Sequence, residues 1–495
     1  MKPDRMHPAI SSGSRLRALP VALALVLSSG CMLGPNYVRP DLQVPAEFRG
    51  PSVDAAQAES LADLEWFALF NDPELTALLR EAVDQNLDLQ TALARVDEAR
   101  ASARYQRSFL GPTIGGQLST TPQPGLAGSN DSSYSLGLAL SWELDFFGKL
   151  RRLSESSRAS LLATEDGARA TMSAVVVQVA STWFTLLEAE EQERIVEETV
   201  VSQEESLALV RLLIKNGVAS GAEEQQALSL LASTKAQLPL VRQQRVAAEN
   251  TLSILLGRYP QSLESRHARP PQGHLPTGPT PPPAGVPSAL LERRPDVHQA
   301  EQQLHAATAQ IGAAIANRFP VPSISLTGLF GRVSTDLGDL TSSDGSTKVV
   351  SWGPGVSLPL LDFGRGIANV DIARAQTAQA AFAYRATVLQ AMREVSDSLF
   401  ANLHASEGIA ANEERVAAAQ EALRLERLRY RAGVVDYLDL LDSERQQLAA
   451  RLDLSNARLN KANSYLNLYR ALGGGWSDEA LLQAKTVTQE SEGAK

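Results

Sequence analysis

The chain contains one pattern twice, at a constant offset of 216 residues (364 minus 148). Three pairs of glycines share this offset: Gly148 and Gly364, Gly217 and Gly433, Gly257 and Gly473. Leucine precedes the last glycine in both copies. Internal repetition at several landmarks predicts one pseudo-symmetric body with two halves rather than several unrelated domains.

Each copy begins with strand patterns. Residues 133–144 alternate strictly, which is typical of a β-strand with two different faces. The bulky face comprises Tyr134, Leu136, Leu138, Leu140, Trp142 and Leu144, and the opposite face is small and polar. The apolar face would be core in a soluble sandwich and would contact lipid in a membrane barrel. Weaker patterns predict partner strands at 113–120, 323–331 and 349–358, with loops at 121–132 and 332–348.

Very long helices follow the strands. Residues 149–216 and 365–432 contain no proline, and each run is long enough for a helix of roughly 100 Å. Helices of this length are typical of coiled-coil packing. Shorter helical patterns cover about 73–109, 220–257 and 296–318. The fold class is therefore mixed, with a two-stranded hairpin and long coiled-coil helices in each repeat.

Four strands cannot close a barrel, and an open sheet edge cannot lie in lipid because its amides would be unpaired. Two chains would supply eight strands, and side chains fill the interior of an eight-stranded barrel. Three chains would supply twelve strands and leave room for a conduit. The small inward residues favour an open lumen and hence three or more chains.

The N-terminus combines basic residues with the apolar run "ALPVALALVL" and ends at Cys31, the only cysteine of the chain. This segment resembles a bacterial lipoprotein signal, which implies a covalent lipid on Cys31; the alternative is an ordinary signal peptide with an incidental cysteine. We predict six segments: signal peptide 1–30, extended arm 31–65, first repeat 66–265, proline-rich connector 266–288, second repeat 289–476 and polar tail 477–495.

Composition excludes several classes of function. The formal net charge of −10 disfavours nucleic acid as a partner, because phosphate contacts need a basic face. Outside the N-terminus no run approaches the roughly 20 consecutive apolar residues of a membrane-spanning helix. His298 and His305 have no third ligand in sequence, so we expect no metal site. We find no catalytic motif and expect no cofactor and no enzymatic activity.

Several motifs together resemble a known family. They are "CMLGPNYVRPDLQVPAEF", "WFALFNDPEL", "NLDLQTALARVDEARA", "ELDFFG", "LLERRPDVHQAEQQLHAATAQIGAA" and "YRAGVVDYLDLLDSERQQL". The chain resembles the outer-membrane efflux lipoproteins of the TolC-like, NodT-type group over nearly all of residues 31–476. The resemblance implies a homotrimer that shares a twelve-stranded barrel in the outer membrane. It also implies a helical barrel in the periplasm that docks onto an inner-membrane pump of the resistance-nodulation-division (RND) kind and its adaptor.

The resemblance also implies a periplasmic gate. Leu438 and Asp442 match the aperture-lining leucine and aspartate of the family, and their spacing puts them on one helical face. Tyr430 and Arg445 match positions at which members of the family form links that close the aperture. The equivalent first-repeat residues are Ala222 and Gln226, so only the second repeat carries an acidic, constricting pair. The alternative is that the aspartates merely favour a helix N-terminus.

Three hypotheses follow for function. The first is the gated exit duct of a tripartite efflux pump, lipid-anchored in the outer membrane. The second is the duct of a type I protein secretion system, and the third is a lipid-anchored coiled-coil scaffold. We expect glycines 148 and 364 at the strand–helix junctions and glycines 217 and 433 at the helical hairpin turns.

Overall fold

A computed structural model of the protein describes residues 32–45, 48–49, 72–124, 130–261, 292–318, 322–358 and 360–477. Cys31, the signal segment, the connector and nearly all of the tail therefore lie outside the described residues. The chain divides into two compact units. The first comprises the described parts of 1–41, 97–163 and 300–384, and the second those of 42–96, 164–299 and 385–495.

The first unit contains one four-stranded antiparallel sheet in the order β1-β2-β3-β4. Its strands are β1 (Thr113–Pro124), β2 (Asn130–Leu144), β3 (Ser323–Ser334) and β4 (Thr347–Ser357). The two predicted hairpins are confirmed, and pairing of β2 with β3 joins them into one sheet. The predicted loops were too long, because strand pairing continues beyond the alternating sequence.

The two faces of the sheet differ in chemistry. Register puts Leu138 opposite Gly116 and Phe330, and Phe330 opposite Val350, so these side chains share a face. This face is apolar yet exposed: Trp352 is 73% accessible and Leu138 55%. The other face carries small and polar residues such as Ser135 and Ala139. An exposed apolar face with a small polar reverse is typical of a strand between lipid and water.

Eight α-helices are described in the two units, and the long ones match the sequence prediction. They are α1 (Pro73–Gln85), α2 (Leu87–Ser108), α3 (Lys149–Lys215), α4 (Gly221–Lys235), α5 (Leu238–Leu255), α6 (Pro295–Ala316), α7 (Arg365–Arg431) and α8 (Tyr437–Ala471). Helices α3 and α7 each contain 67 residues. A 3₁₀ turn, Gly338–Thr341, lies between β3 and β4.

The shorter helical stretches of the first repeat are interrupted, which corrects the prediction of continuous runs. Asn86 separates α1 from α2, since its Oδ1 accepts hydrogen bonds from the N–H groups of Asp88 and Leu89 and thus caps a new helix. Its Nδ2 donates to the carbonyl of Leu255 at 2.9 Å. Helix α5 starts anew because Pro239 lies in its first turn.

Both repeats contribute to the largest apolar core of the second unit. Buried residues from six helices meet there, among them Leu75, Phe184, Leu252, Val395 and Tyr465. Helix α3 contains an 18-residue window of mean hydropathy 1.5 that has the length and composition of a membrane span. Because 61% of that window is buried inside the protein, the window fits a core helix.

The repeat is visible in the backbone. The paired glycines have closely similar positive φ angles: 76° and 84° at Gly148 and Gly364, 71° and 69° at Gly217 and Gly433, 70° and 91° at Gly257 and Gly473. Positive φ favours glycine over residues with a side chain. The three landmarks therefore mark equivalent turns in the two halves.

Candidate functional site: the helical hairpin turns

Each long helix ends in a tight turn. The N–H of Val218 donates to the carbonyl of Leu213 at 2.9 Å, and the N–H of Val434 donates to that of Arg429 at 3.0 Å. This six-residue closure around a left-handed glycine is the Schellman arrangement. It reverses the chain so that α4 and α8 run back beside α3 and α7.

The predicted gate residues begin helix α8. Leu438 is 57% accessible and Asp442, one turn later, is also exposed. The Asp442 Oδ2 accepts a hydrogen bond from the Gln446 Nε2 at 2.6 Å. An exposed leucine followed by an exposed carboxylate on one face leaves both side chains available to line an aperture between subunits.

Tyr430 lies at the end of α7 and has a partner in the first repeat. Its hydroxyl donates to the Glu223 Oε2 at 2.7 Å, while the Glu223 Oε1 accepts the backbone N–H of Ser220 at 3.1 Å. The Tyr430 side chain is buried, and its ring packs edge-on against Tyr437 with centroids 5.5 Å apart. The two hairpin turns of one chain are therefore joined by a hydrogen bond.

The four predicted gate residues are not all brought together. Arg445 is exposed on α8 and has no ion pair or hydrogen bond within the described part of the chain. Tyr430 pairs with Glu223 rather than with Arg445 or Asp442. Its role as a link across the aperture stays a prediction, and the structure adds a contact within the chain.

Titration of this pair follows from its environment. Burial, together with the hydrogen bond to Glu223, raises the pKa of Tyr430 above its ordinary value. Burial alone would raise the pKa of Glu223, but hydrogen bonds from Tyr430 and Ser220 outweigh it and hold that pKa below 4.5. The link is therefore a neutral phenol donating to a charged carboxylate, which is a strong kind of hydrogen bond.

Sequence reasoning missed Glu444, a carboxylate buried inside the turn region. It is 2% accessible, accepts the Ser206 hydroxyl at 2.5 Å, and lies 3.3 Å from the Arg427 Nη2. Burial raises its pKa, against the influence of Ser206 and Arg427. A signal was available, because Glu444 falls on the apolar stripe of Leu441 and Leu448.

The two strand–helix junctions use an aspartate to start each long helix. The Asp145 carboxylate accepts the N–H groups of Leu150 and Arg151, both at 2.9 Å. At the other junction the Asp362 carboxylate accepts those of Gly364 and Gly366. Turn chemistry thus accounts for both aspartates.

The described start of the arm is fastened beside the first junction. Arg152, which is 1% accessible, donates to the carbonyls of Leu33 and Gly34 and to the Asn36 Oδ1. Further along, the Tyr37 ring stacks on His305 at 4.6 Å and its hydroxyl donates to Glu301. His305 thus contributes to holding the arm, and no group of metal-binding side chains is found in the described residues.

The "ERRPD" motif stabilises the packing of three helices through Arg294. Arg294 is 6% accessible and pairs with Asp296 at 2.6 Å and with Glu394 at 2.8 Å. It also donates to the carbonyl of Ala471, at the end of α8. The motif therefore connects the start of α6 to the helices α7 and α8 of the same repeat.

A sheet with an exposed apolar face, joined to helices of 67 residues that turn at glycine, defines the class of TolC-like outer-membrane channels. The family model for outer membrane efflux proteins matches residues 78–258 and 286–474. The chain belongs to this family and is an outer-membrane efflux channel that extends into the periplasm.

Relatives and solved structures support this family assignment. The cation efflux system protein CusC of Escherichia coli K12 is 34% identical over 470 residues, covering 93% of this chain and 100% of the relative. The probable efflux pump outer membrane protein TtgC of Pseudomonas putida is 35% identical over 478 residues, covering 93% and 96%. The open-state MtrE channel of Neisseria gonorrhoeae superposes with a TM-score of 0.81 at 32% identity, covering 90% and 98%.

Proposed function

We propose that three copies of this chain form the exit duct of a tripartite efflux pump. The observation that carries this proposal is the open sheet: β1 and β4 are edge strands, and the face toward lipid is apolar. Edges must pair within a membrane, so neighbouring copies supply the missing strands. Three copies give twelve strands, which is wide enough for a water-filled lumen.

The duct conducts small molecules passively. Relatives named for cation, antibiotic, toluene and solvent efflux support this cargo class over protein secretion. Energy comes from an inner-membrane pump of the RND kind, and a periplasmic adaptor joins the two. Leu438 and Asp442 form the constriction, and three symmetry-related copies of Asp442 attract cations and repel each other.

The N-terminal arm anchors the channel through a lipid on Cys31. Cys31 directly precedes Met32, and a side chain at Gly148 would come within 2.9 Å of the Met32 Cα. The attachment point is therefore one residue before Met32, which packs against the first strand–helix junction, where a lipid chain can enter the inner leaflet of the outer membrane. Each buried methylene adds roughly 0.8 kcal/mol to such anchoring.

Crosslinking in living cells, followed by purification and mass spectrometry, tests the assignment. Recovery of a proton-driven pump together with an adaptor is the expected result. Recovery of an ATP-driven exporter instead would move the protein to secretion. Native mass spectrometry of the same preparation should give a trimer, and incorporation of labelled palmitate should be lost in Cys31→Ser.

A further inference from the structure

The four strands contain only two basic residues, Arg332 on β3 and Lys348 on β4. The two are direct partners in the register of the β3–β4 hairpin. They share a face with Phe330 and Val350, two positions nearer the helices, so both lie on the apolar, lipid-facing side. A pair of cations on an otherwise apolar face calls for a physical explanation.

The depth of Arg332 and Lys348 in the membrane follows from their position along the strands. Apolar outward residues on β3 run from Ile324, at the helix end, to Phe330, which is roughly 20 Å along the strand and about 15 Å of height at the usual tilt of barrel strands. The apolar belt of an outer-membrane barrel is about 25 Å tall. Because the helices extend into the periplasm, Arg332 and Lys348 lie toward the cell-surface edge of the belt. From this edge their long side chains can reach the outer-leaflet headgroups.

Like charges directly opposite each other destabilise a sheet. The Arg332 Nη1 donates to the carbonyls of Thr341 and Ser342, the latter at 2.7 Å. Within the described residues neither cation has a carboxylate partner, although the same loop carries Asp336, Asp339 and Asp344. Lys348 is exposed. An external anion between the two side chains would relieve their repulsion.

A shallow, open apolar groove of about 500 Å³ lies on this face, and Arg332 and Lys348 are part of its lining. Its walls include Leu136, Leu138, Phe330 and Val350, with Leu340 of the 3₁₀ turn at the upper end. A molecule that matches both features has a phosphorylated headgroup and acyl chains. We propose that Arg332 and Lys348 bind a phosphorylated lipid of the outer leaflet, with its phosphate between the two cations and an acyl chain in the groove.

This inference depends on the placement of the sheet in the outer membrane and not on the gate or the pump. The test uses the full-length protein purified in detergent and bisphosphorylated lipid A as the probe, with dephosphorylated lipid A for comparison. Lys348→Gln is the informative variant, because Arg332 also holds the loop. Lys348→Arg restores the charge, and Lys235→Gln removes an exposed lysine from helix α4 as the matched control.

We expect the wild type and Lys348→Arg to prefer the bisphosphorylated probe, and Lys348→Gln to lose about fivefold in affinity. Lys235→Gln should bind as the wild type does. Equal affinity for the two probes, or equal loss in both glutamine variants, would overturn the proposal. So would displacement of lipid A by inorganic phosphate alone, since the site would then take a free anion. Single-channel conductance should be unchanged in Lys348→Gln, which separates this test from the duct assignment.

Discussion

The hydroxyl of Tyr430 donates a 2.7 Å hydrogen bond to the carboxylate of Glu223, from the end of one repeat's long helix to the first turn of the other repeat's return helix. Tyr430 is 5% accessible, so water competes little for this bond. Because α8 begins seven residues after Tyr430, the bond restrains the helix that carries Leu438 and Asp442. The hydrogen bond thus joins the hairpin turns of the two repeats within a single chain.

Removing this hydrogen bond should loosen the closed state. Tyr430→Phe keeps the ring packed on Tyr437 and deletes only the donor. A hydrogen bond to a charged group contributes about 1.5–3 kcal/mol, which is about tenfold or more in a closed-to-open equilibrium. We expect higher mean conductance in planar bilayers. Tyr105→Phe, at an exposed tyrosine of α2, is the control and should leave conductance unchanged.

The same link predicts a dependence on pH. The folded-state pKa of Glu223 lies below its ordinary value of 4.5, so its contribution to closure is complete above 4.5. That contribution is lost as pH falls through the depressed pKa. Conductance should therefore rise on acidification below about 4.5. In Glu223→Gln this rise should disappear; an identical rise in that variant would assign the titration to another group.

The proposed constriction in the second repeat can be tested with the equivalent position of the first repeat as the control. Leu438→Ala combined with Asp442→Ala should widen the aperture and remove its charge, so single-channel conductance should increase and cation preference fall. Gln226→Ala changes the equivalent first-repeat position and should have no effect. Unchanged conductance in the double variant would place the constriction elsewhere.

Local patterns predicted most of the fold. The long helices were readable because their sequences lack proline, and the strands because residue size alternates. The break at Asn86 was missed, since it depends on a side chain that caps one helix and reaches Leu255 in another. The partners of Tyr430 and Glu444 were missed for the same reason: Glu223 and Ser206 are more than 200 residues away in sequence. Periodicity reports which face is apolar, whereas pairing across helices depends on their packing.

The buried carboxylate near the turns makes a prediction about stability. Arg427→Gln would leave Glu444 buried with Ser206 as its remaining polar partner, at a cost of about 1–3 kcal/mol. The heat-denaturation midpoint should fall at neutral pH. Because burial raises the pKa of Glu444, its protonation favours the folded state, and the deficit should shrink as pH falls through that pKa. Adding Glu444→Gln to Arg427→Gln should restore part of the lost denaturation midpoint at neutral pH. If the two substitutions instead lower the midpoint additively, Arg427 and Glu444 are not coupled.

The two strand–helix junctions offer a matched pair of substitutions. Gly148 and Gly364 have φ angles of 76° and 84°, so alanine is strained at both, at a cost of about 1–2 kcal/mol. Their surroundings differ, because a Cβ at 364 meets nothing within 4 Å, whereas one at 148 would lie 2.8 Å from the Met32 Cγ. Gly148→Ala should therefore lower the denaturation midpoint more than Gly364→Ala does. It should also make the arm around Met32 more accessible to protease, while Gly364→Ala leaves the arm protected. Equal effects of the two variants on both measurements would mean that the arm does not pack against this junction in the membrane-inserted protein.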